Sequence, residues 1–187
     1  MRCLIEDADR IESHVTRLVT PFLVTSNDFR TRWHASTVSC RYSHGLEQLK
    51  RNLADAKPRV FVMCTPLTKQ AGEWVFERNN GTTITFREFI QAVTEHQKIT
   101  DAPIRYIVLP RCDDGVALIN DFKEDGTIDI IVSKHSLPDN EVDTFCASMI
   151  FNEIQCPDDS IADTIEFATL QVEASTGTDL TGKFIVK

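Results

Sequence analysis

The chain has 187 residues, enough for one domain with a hydrophobic core of its own. Hydrophobic residues make up 42% and charged residues 26%, an ordinary globular balance, while a formal net charge of −8 argues against a nucleic-acid or anionic-membrane partner, both of which attract a basic face. No segment approaches the roughly 20 apolar residues of a membrane span. The first residues turn acidic at Glu6 and Asp7 before any signal-like apolar run, so the expected setting is cytoplasmic.

In chain order, Arg2 to Ile5 reads as a short first strand. Asp9 to Phe22 places Ile11, Val15, Leu18 and Phe22 at helical spacing. Phe22 to Thr25 reads equally as a helix end or a second strand. Residues 27–42 are polar and irregular around Trp33 and read as a long loop. Tyr42 to Ala56 forms a helix with Leu46, Leu49 and Leu53 on one face, and Pro58 stops it. Val60 to Cys64 is a continuous apolar run, the mark of a strand buried on both faces. Trp74 to Phe76 and the Asn79-Asn80-Gly81 triplet suggest a short strand and a turn.

Thr85 followed by Glu88 is a capping-box pair, and Phe86, Phe89, Ile90 and Val93 form the apolar face of the helix it starts. Tyr106 to Leu109 and Ile128 to Val132 are further buried strands. Pro138 opens a helix running to Ile154, Asp159 to Ala162 open another reaching about Ala174, and Phe184 to Val186 form a last strand. The alternation predicts a single α/β domain spanning residues 1–187. Its architecture is a three-layer αβα sandwich around a mainly parallel sheet.

Chemistry concentrates where the Tyr106–Leu109 strand ends. Pro110, Arg111, Cys112, Asp113, Asp114 and Gly115 follow at the carboxyl edge, where open α/β sheets keep their sites. Cys112 is there a candidate nucleophile. The six cysteines, Cys3, Cys40, Cys64, Cys112, Cys146 and Cys156, include no Cys-x-x-Cys pair, so neither a zinc site nor a disulfide framework is expected. No glycine-rich phosphate loop is present, and no cofactor or metal is expected. Asp113, Asp114, Asp139, Glu141 and Asp143 lack calcium-loop order and read as helix-start charge.

From Val60 onward the order of elements resembles the caspase-like fold, most closely its CHAT branch. In that family one strand ends in a His-Gly pair, a strand pair and helix follow, and a later strand ends in the nucleophilic cysteine. Val60 to Cys64, Trp74 to Phe86 and Tyr106 to Gly115 match these in turn. Ile128 to Ser133, the Leu137-Pro138-Asp139 turn, the helix after Asp159 and the Lys183–Val186 strand match the remainder. The resemblance implies a cysteine peptidase with Cys112 as nucleophile, and a dimer through Phe184, Ile185 and Val186.

The His-Gly slot, however, reads Cys64-Thr65-Pro66. Neither threonine nor proline replaces an imidazole, and Pro66 has no N–H to offer an oxyanion. Asp113 and Asp114 add negative charge that disfavours a thiolate. Among the histidines, His135 follows a central strand and is the candidate substitute base; His44 precedes a helix, and His14 and His96 read as surface residues on helices.

The expected function is that of a degenerate caspase/CHAT-like regulator or scaffold working through a protein partner, such as an active peptidase or a signalling protein. Two alternatives stay open. One is an active cysteine endopeptidase using Cys112 and His135. The other is a TIR/SEFIR-like signalling domain, because Val62 to Pro66 with Trp74 and Glu77 is similar to that family's strand–Ser-Pro–Trp–Glu pattern, although residue 78 is arginine.

Overall fold

The computed structural model of the chain describes residues 1–6, 9–77, 81–101, 103–122 and 128–187. The first strand, β1 (Arg2–Glu6), leads into helix α1 (Asp9–Thr25), which absorbs Pro21 and so takes in the segment that reads as either helix or strand. The side chain of Phe22 lies outside the described residues. Ser26 then caps a second helix, α2 (Asn27–His34), by accepting from the Phe29 N–H at 3.2 Å.

Strand β2 (Thr37–Arg41) follows, so the stretch expected to be a loop holds a helix and a strand. Phe29 is the buried anchor of α2, and the middle of β2 is only half-buried, so neither needs the apolar periodicity that would reveal it. Helix α3 (Leu46–Ala56) starts at Gly45 rather than Tyr42, because Ser43 turns inward. It ends on Lys57, which adopts a left-handed conformation just before Pro58.

Strand β3 (Val60–Met63) leads to a small antiparallel sheet of β4 (Leu67–Gln70), β5 (Glu73–Glu77) and β6 (Thr83–Thr85). Ala71 and Gly72, both at positive φ, make the two-residue turn between β4 and β5. Of the turn expected at 79–81, Asn79 and Asn80 lie outside the described residues, as does Arg78. Helix α4 (Phe86–Ile99) opens on the capping box of Thr85 and Glu88. Strand β7 (Tyr106–Leu109), the short helix α5 (Gly115–Asp121), β8 (Asp129–Ser133), α6 (Asp139–Gln155), α7 (Ile161–Thr176) and β9 (Phe184–Val186) complete the order.

Six strands form one sheet in the order β2-β1-β3-β7-β8-β9, parallel except for β9. The adjacency of β3, β7 and β8 is the arrangement their apolar runs predict. Their side chains alternate between two cores. Val60, Val62, Tyr106, Val108 and Ile131 pack with α1, α2, α6 and α7. Phe61, Met63, Ile107, Leu109 and Val132 pack with α3, α4, α5 and the small sheet. Helices thus cover both faces, compatible with three layers. Among the described residues no helix is long and apolar enough to cross a membrane.

The second core is rich in phenylalanine. Phe89 meets Phe76 at 5.0 Å and Phe61 at 5.7 Å between ring centroids, and Phe86 meets Phe122 edge-on at 4.9 Å. These rings tie the small sheet and α4 to β3. His96 lies seven residues after Phe89 on the same helical stripe, so it is buried rather than on the surface, and burial lowers its pKa, with Lys57 adding to the effect.

At the amino edge of the sheet a fully buried carboxylate joins the layers. Glu153 of α6 accepts from Arg59 Nε at 2.8 Å and from Arg105 Nη1 at 2.7 Å, just ahead of β3 and β7 respectively. The same guanidiniums donate to the Pro157 carbonyl, and Arg105 also donates to that of Asp159. A buried charge with these partners fixes how α6 sits on the sheet, because moving it strands the carboxylate.

Candidate functional site

The parallel strands β1, β3, β7 and β8 all run toward one edge of the sheet, where open α/β folds place their sites. Beyond β7 the chain continues extended far enough for Cys112 to bridge to Leu67 in parallel. Leu67 donates its N–H to the Arg111 carbonyl at 2.9 Å, and Asp113 donates to the Leu67 carbonyl at 3.3 Å. Ser133, fully buried at the end of β8, holds the turn from the other side. Its hydroxyl donates to the Pro110 carbonyl at 2.9 Å and accepts from the Cys112 N–H at 3.3 Å.

Helix α5 begins directly after. Asp114 caps it by accepting from the Ala117 N–H at 2.9 Å. Gly115 is required by close approach. A Cβ there would lie 2.3 Å from the Ser133 carbonyl oxygen and 2.7 Å from Val132 Cγ1. The glycine therefore lets the start of α5 press against the end of β8, and so fixes the path of residues 110–115.

This framework turns the Cys112 side chain inward. It belongs to the core of Phe61, Met63, Leu67 and Leu118, with no exposed surface. Burial is the largest influence on its thiol. The Asp114 backbone N–H opposes it, the charges of Asp113 and Asp114 reinforce it, and the pKa is pushed up to about 11. The acidic neighbours act in the expected direction, but the apolar surroundings matter more. At neutral pH such a thiol is ionised in only about one molecule in ten thousand.

The sequence-predicted partners do not converge on it. His135 is exposed in the bend beyond β8, and no hydrogen bond joins it to Cys112 among the described residues. His44 is exposed ahead of α3, where its carbonyl accepts from Thr82 Oγ1 at 3.0 Å. Cys64 turns into the opposite core, beside Cys146. Thr65 is buried with its hydroxyl 3.5 Å from Met63 Sδ, and Pro66 is exposed.

The acidic residues are absorbed locally. Asp139 pairs with Arg111 at 2.9 Å, Glu141 accepts from Thr178 Oγ1 at 2.8 Å, and Asp143 is buried. Among the described residues no three His, Cys, Asp or Glu side chains converge to hold a metal ion. Asp121 accepts from Lys69 Nζ at 2.6 Å and Trp74 Nε1 at 2.9 Å, which lowers its pKa and ties α5 to the small sheet.

One buried polar group at this edge escapes sequence reasoning. The order of the sheet reverses between β1 and β3, and there Glu6 is fully buried. Its oxygens accept from Ser43 Oγ at 2.7 Å and Asn52 Nδ2 at 2.9 Å, and Asn52 also donates to Ser43 at 3.1 Å. The cluster binds α3 and the preceding turn to β1. The inward serine just before α3 is the signal that separates it from a surface loop.

Compared with known proteins, the chain matches no family model and no curated protein.

The crowding at Gly115 makes it a sensitive probe of this edge. Gly115→Ala is expected to cost about 1–3 kcal/mol or more in urea unfolding, because the methyl meets a backbone carbonyl that cannot rotate away. A loss below about 0.5 kcal/mol contradicts the tight contact between α5 and β8.

Proposed function

We propose that this chain is a degenerate domain of the caspase-like, CHAT-type fold, a three-layer αβα sandwich that works by binding other proteins rather than by cleaving them. The observation carrying this reading is the state of Cys112. It stands where the resemblance puts a nucleophile, yet its thiol is sealed in the core with its pKa pushed up to about 11. A peptidase cysteine needs the reverse, an accessible sulfur with a lowered pKa and a base beside it.

The neighbouring strands support the same reading. β3 pairs in parallel with β7, so the Thr65-Pro66 slot opens at the same end of the sheet as Cys112. The Cys112–Leu67 bridge sets that slot two residues from the cysteine's register partner. A histidine in the slot would stand beside the cysteine; threonine there offers no base. The purified protein is expected to leave a library of peptide substrates uncut, indistinguishably from Cys112→Ala. Turnover that disappears in Cys112→Ala and falls in His135→Ala, with circular dichroism unchanged, contradicts the proposal.

The binding surface we assign to this reading is the β9 edge, through which the resemblance implies a homodimer. β9 is the terminal strand of the sheet, and Lys187 exchanges backbone hydrogen bonds with Ile130. The intervening residues Phe184 and Val186 therefore aim their N–H and C=O groups at the open side. Lys187 does not guard that side. Its ammonium folds over the Phe122 ring, 4.5 Å from the centroid. Phe184 stacks on Phe145 at 3.8 Å and fixes the strand in place. Light scattering is expected to return the mass of two chains for the intact protein, and of one for Val186→Pro, which removes only an outward N–H. A monomer in both contradicts an interface here.

A further inference from the structure

The opposite edge of the sheet has a different character. Residues 29–46 carry Arg30, Arg32, Arg41, His34 and His44 and neither aspartate nor glutamate, within a chain of net charge −8. The fold lays this basic segment along one side of the sheet, with Arg30 and Arg32 on α2 ahead of β2 and Arg41 and His44 at and beyond its carboxyl end, and all five side chains exposed. Arg30 Nε donates to the Leu23 carbonyl and Arg32 Nη1 to that of Gln155, which anchors the guanidiniums without neutralising them. Among the described residues no carboxylate forms a salt bridge with Arg30, Arg32 or Arg41. Glu6, the register partner of Arg41, is buried and engaged by Ser43 and Asn52.

The backbone at this edge is ready for another strand. β2 pairs with β1 over five successive positions and ends the sheet. Thr37 donates its N–H to the Met1 carbonyl, so by the alternation of a parallel ladder the N–H and C=O of Val38 face outward. β2 has no proline and its register is uninterrupted, and its one charged residue, Arg41, stands at its last position rather than in its middle. A groove of about 320 Å³ lies alongside, where Val15, Trp33 and Val38 give an apolar wall and Thr16, His34, Ser36 and Thr37 a polar one, with room for one side chain against the Trp33 ring.

We propose that the outer edge of β2 takes up an extended, acidic segment of a partner protein as an added strand. Backbone pairing at Val38 supplies the attachment, and one apolar side chain enters the Trp33 groove. Arg32, ahead of the start of β2, and Arg41, at its end, select for carboxylates toward the two ends of that segment. This surface lies at the far edge from β9 and does not depend on the chemistry of Cys112.

The test is selection of a display library of short random peptides on the intact protein. Enriched sequences are expected to place acidic residues toward the ends of a short β-branched or aromatic stretch. Their synthetic versions should bind Arg41→Glu about threefold or more weakly and Cys112→Ala unchanged. Hydrogen exchange should show the Val38 amide protected in the complex. The proposal is overturned by failure to enrich any peptide, by enrichment of neutral or basic ones, or by binding that leaves Val38 unprotected. It is also overturned if a single-stranded oligonucleotide binds with the same dependence on Arg41, since the patch would then be capturing polyanions without strand pairing.

Discussion

The burial of β3 and β7 on both faces is the constraint from which the other features follow. Every side chain of Val60–Met63 and Tyr106–Leu109 is inside, so each strand must supply apolar groups to two cores at once. Burying a large aliphatic side chain contributes about 1.5–3 kcal/mol, and here such side chains line both faces of adjacent strands. That requirement leaves helices on each face and places the buried carboxylates Glu6 and Glu153 at the two ends of the strands. At the amino ends, Glu153 is held by Arg59 and Arg105. At the carboxyl ends lie Glu6, Ser133 and the Cys112 turn.

Sidedness along these strands explains why Cys112 and Cys64, at the carboxyl ends of neighbouring strands, do not meet. Cys64 continues the alternation of Val60 and Val62 and enters the core beneath α6. Cys112 enters the other core, held by its bridge to Leu67 and by Ser133. Gly115 lets α5 close the turn over the end of β8. The same packing that orders the cysteine removes it from water, and that removal outweighs its acidic neighbours in suppressing the thiolate. β9 and β2, in contrast, end the sheet on its two sides, and the proposed associations use them.

Much of this was legible in the residues. A strand buried on both faces favours apolar side chains throughout, so β3 and β7 stand out as unbroken apolar runs and β8 by its Ile130–Val132 centre. The capping box at Thr85 is equally readable, because the hydrogen bonds are local. Elements that bury little were not readable. α2 is anchored by Phe29, β2 is half-buried, β4 hides behind an Ala71-Gly72 turn without the usual asparagine, and α5 is only seven residues long. At the site, charge beside Cys112 could be read but burial could not, since the bridge to Leu67 and the hydroxyl of Ser133 come from distant parts of the chain. The burial of His96 and Glu6 was hidden for the same reason: each depends on partners outside its own element.

The proposed loss of peptidase chemistry depends on Cys112 being a core residue. Its most direct test is the rate at which that one thiol is alkylated in the native protein as a function of pH, followed by mass spectrometry of the peptide containing it. A core thiol is expected to react slowly with a midpoint near pH 11, rising to the rate of a free thiol only on unfolding. Fast alkylation at neutral pH, with a midpoint below that of an ordinary cysteine, would contradict it.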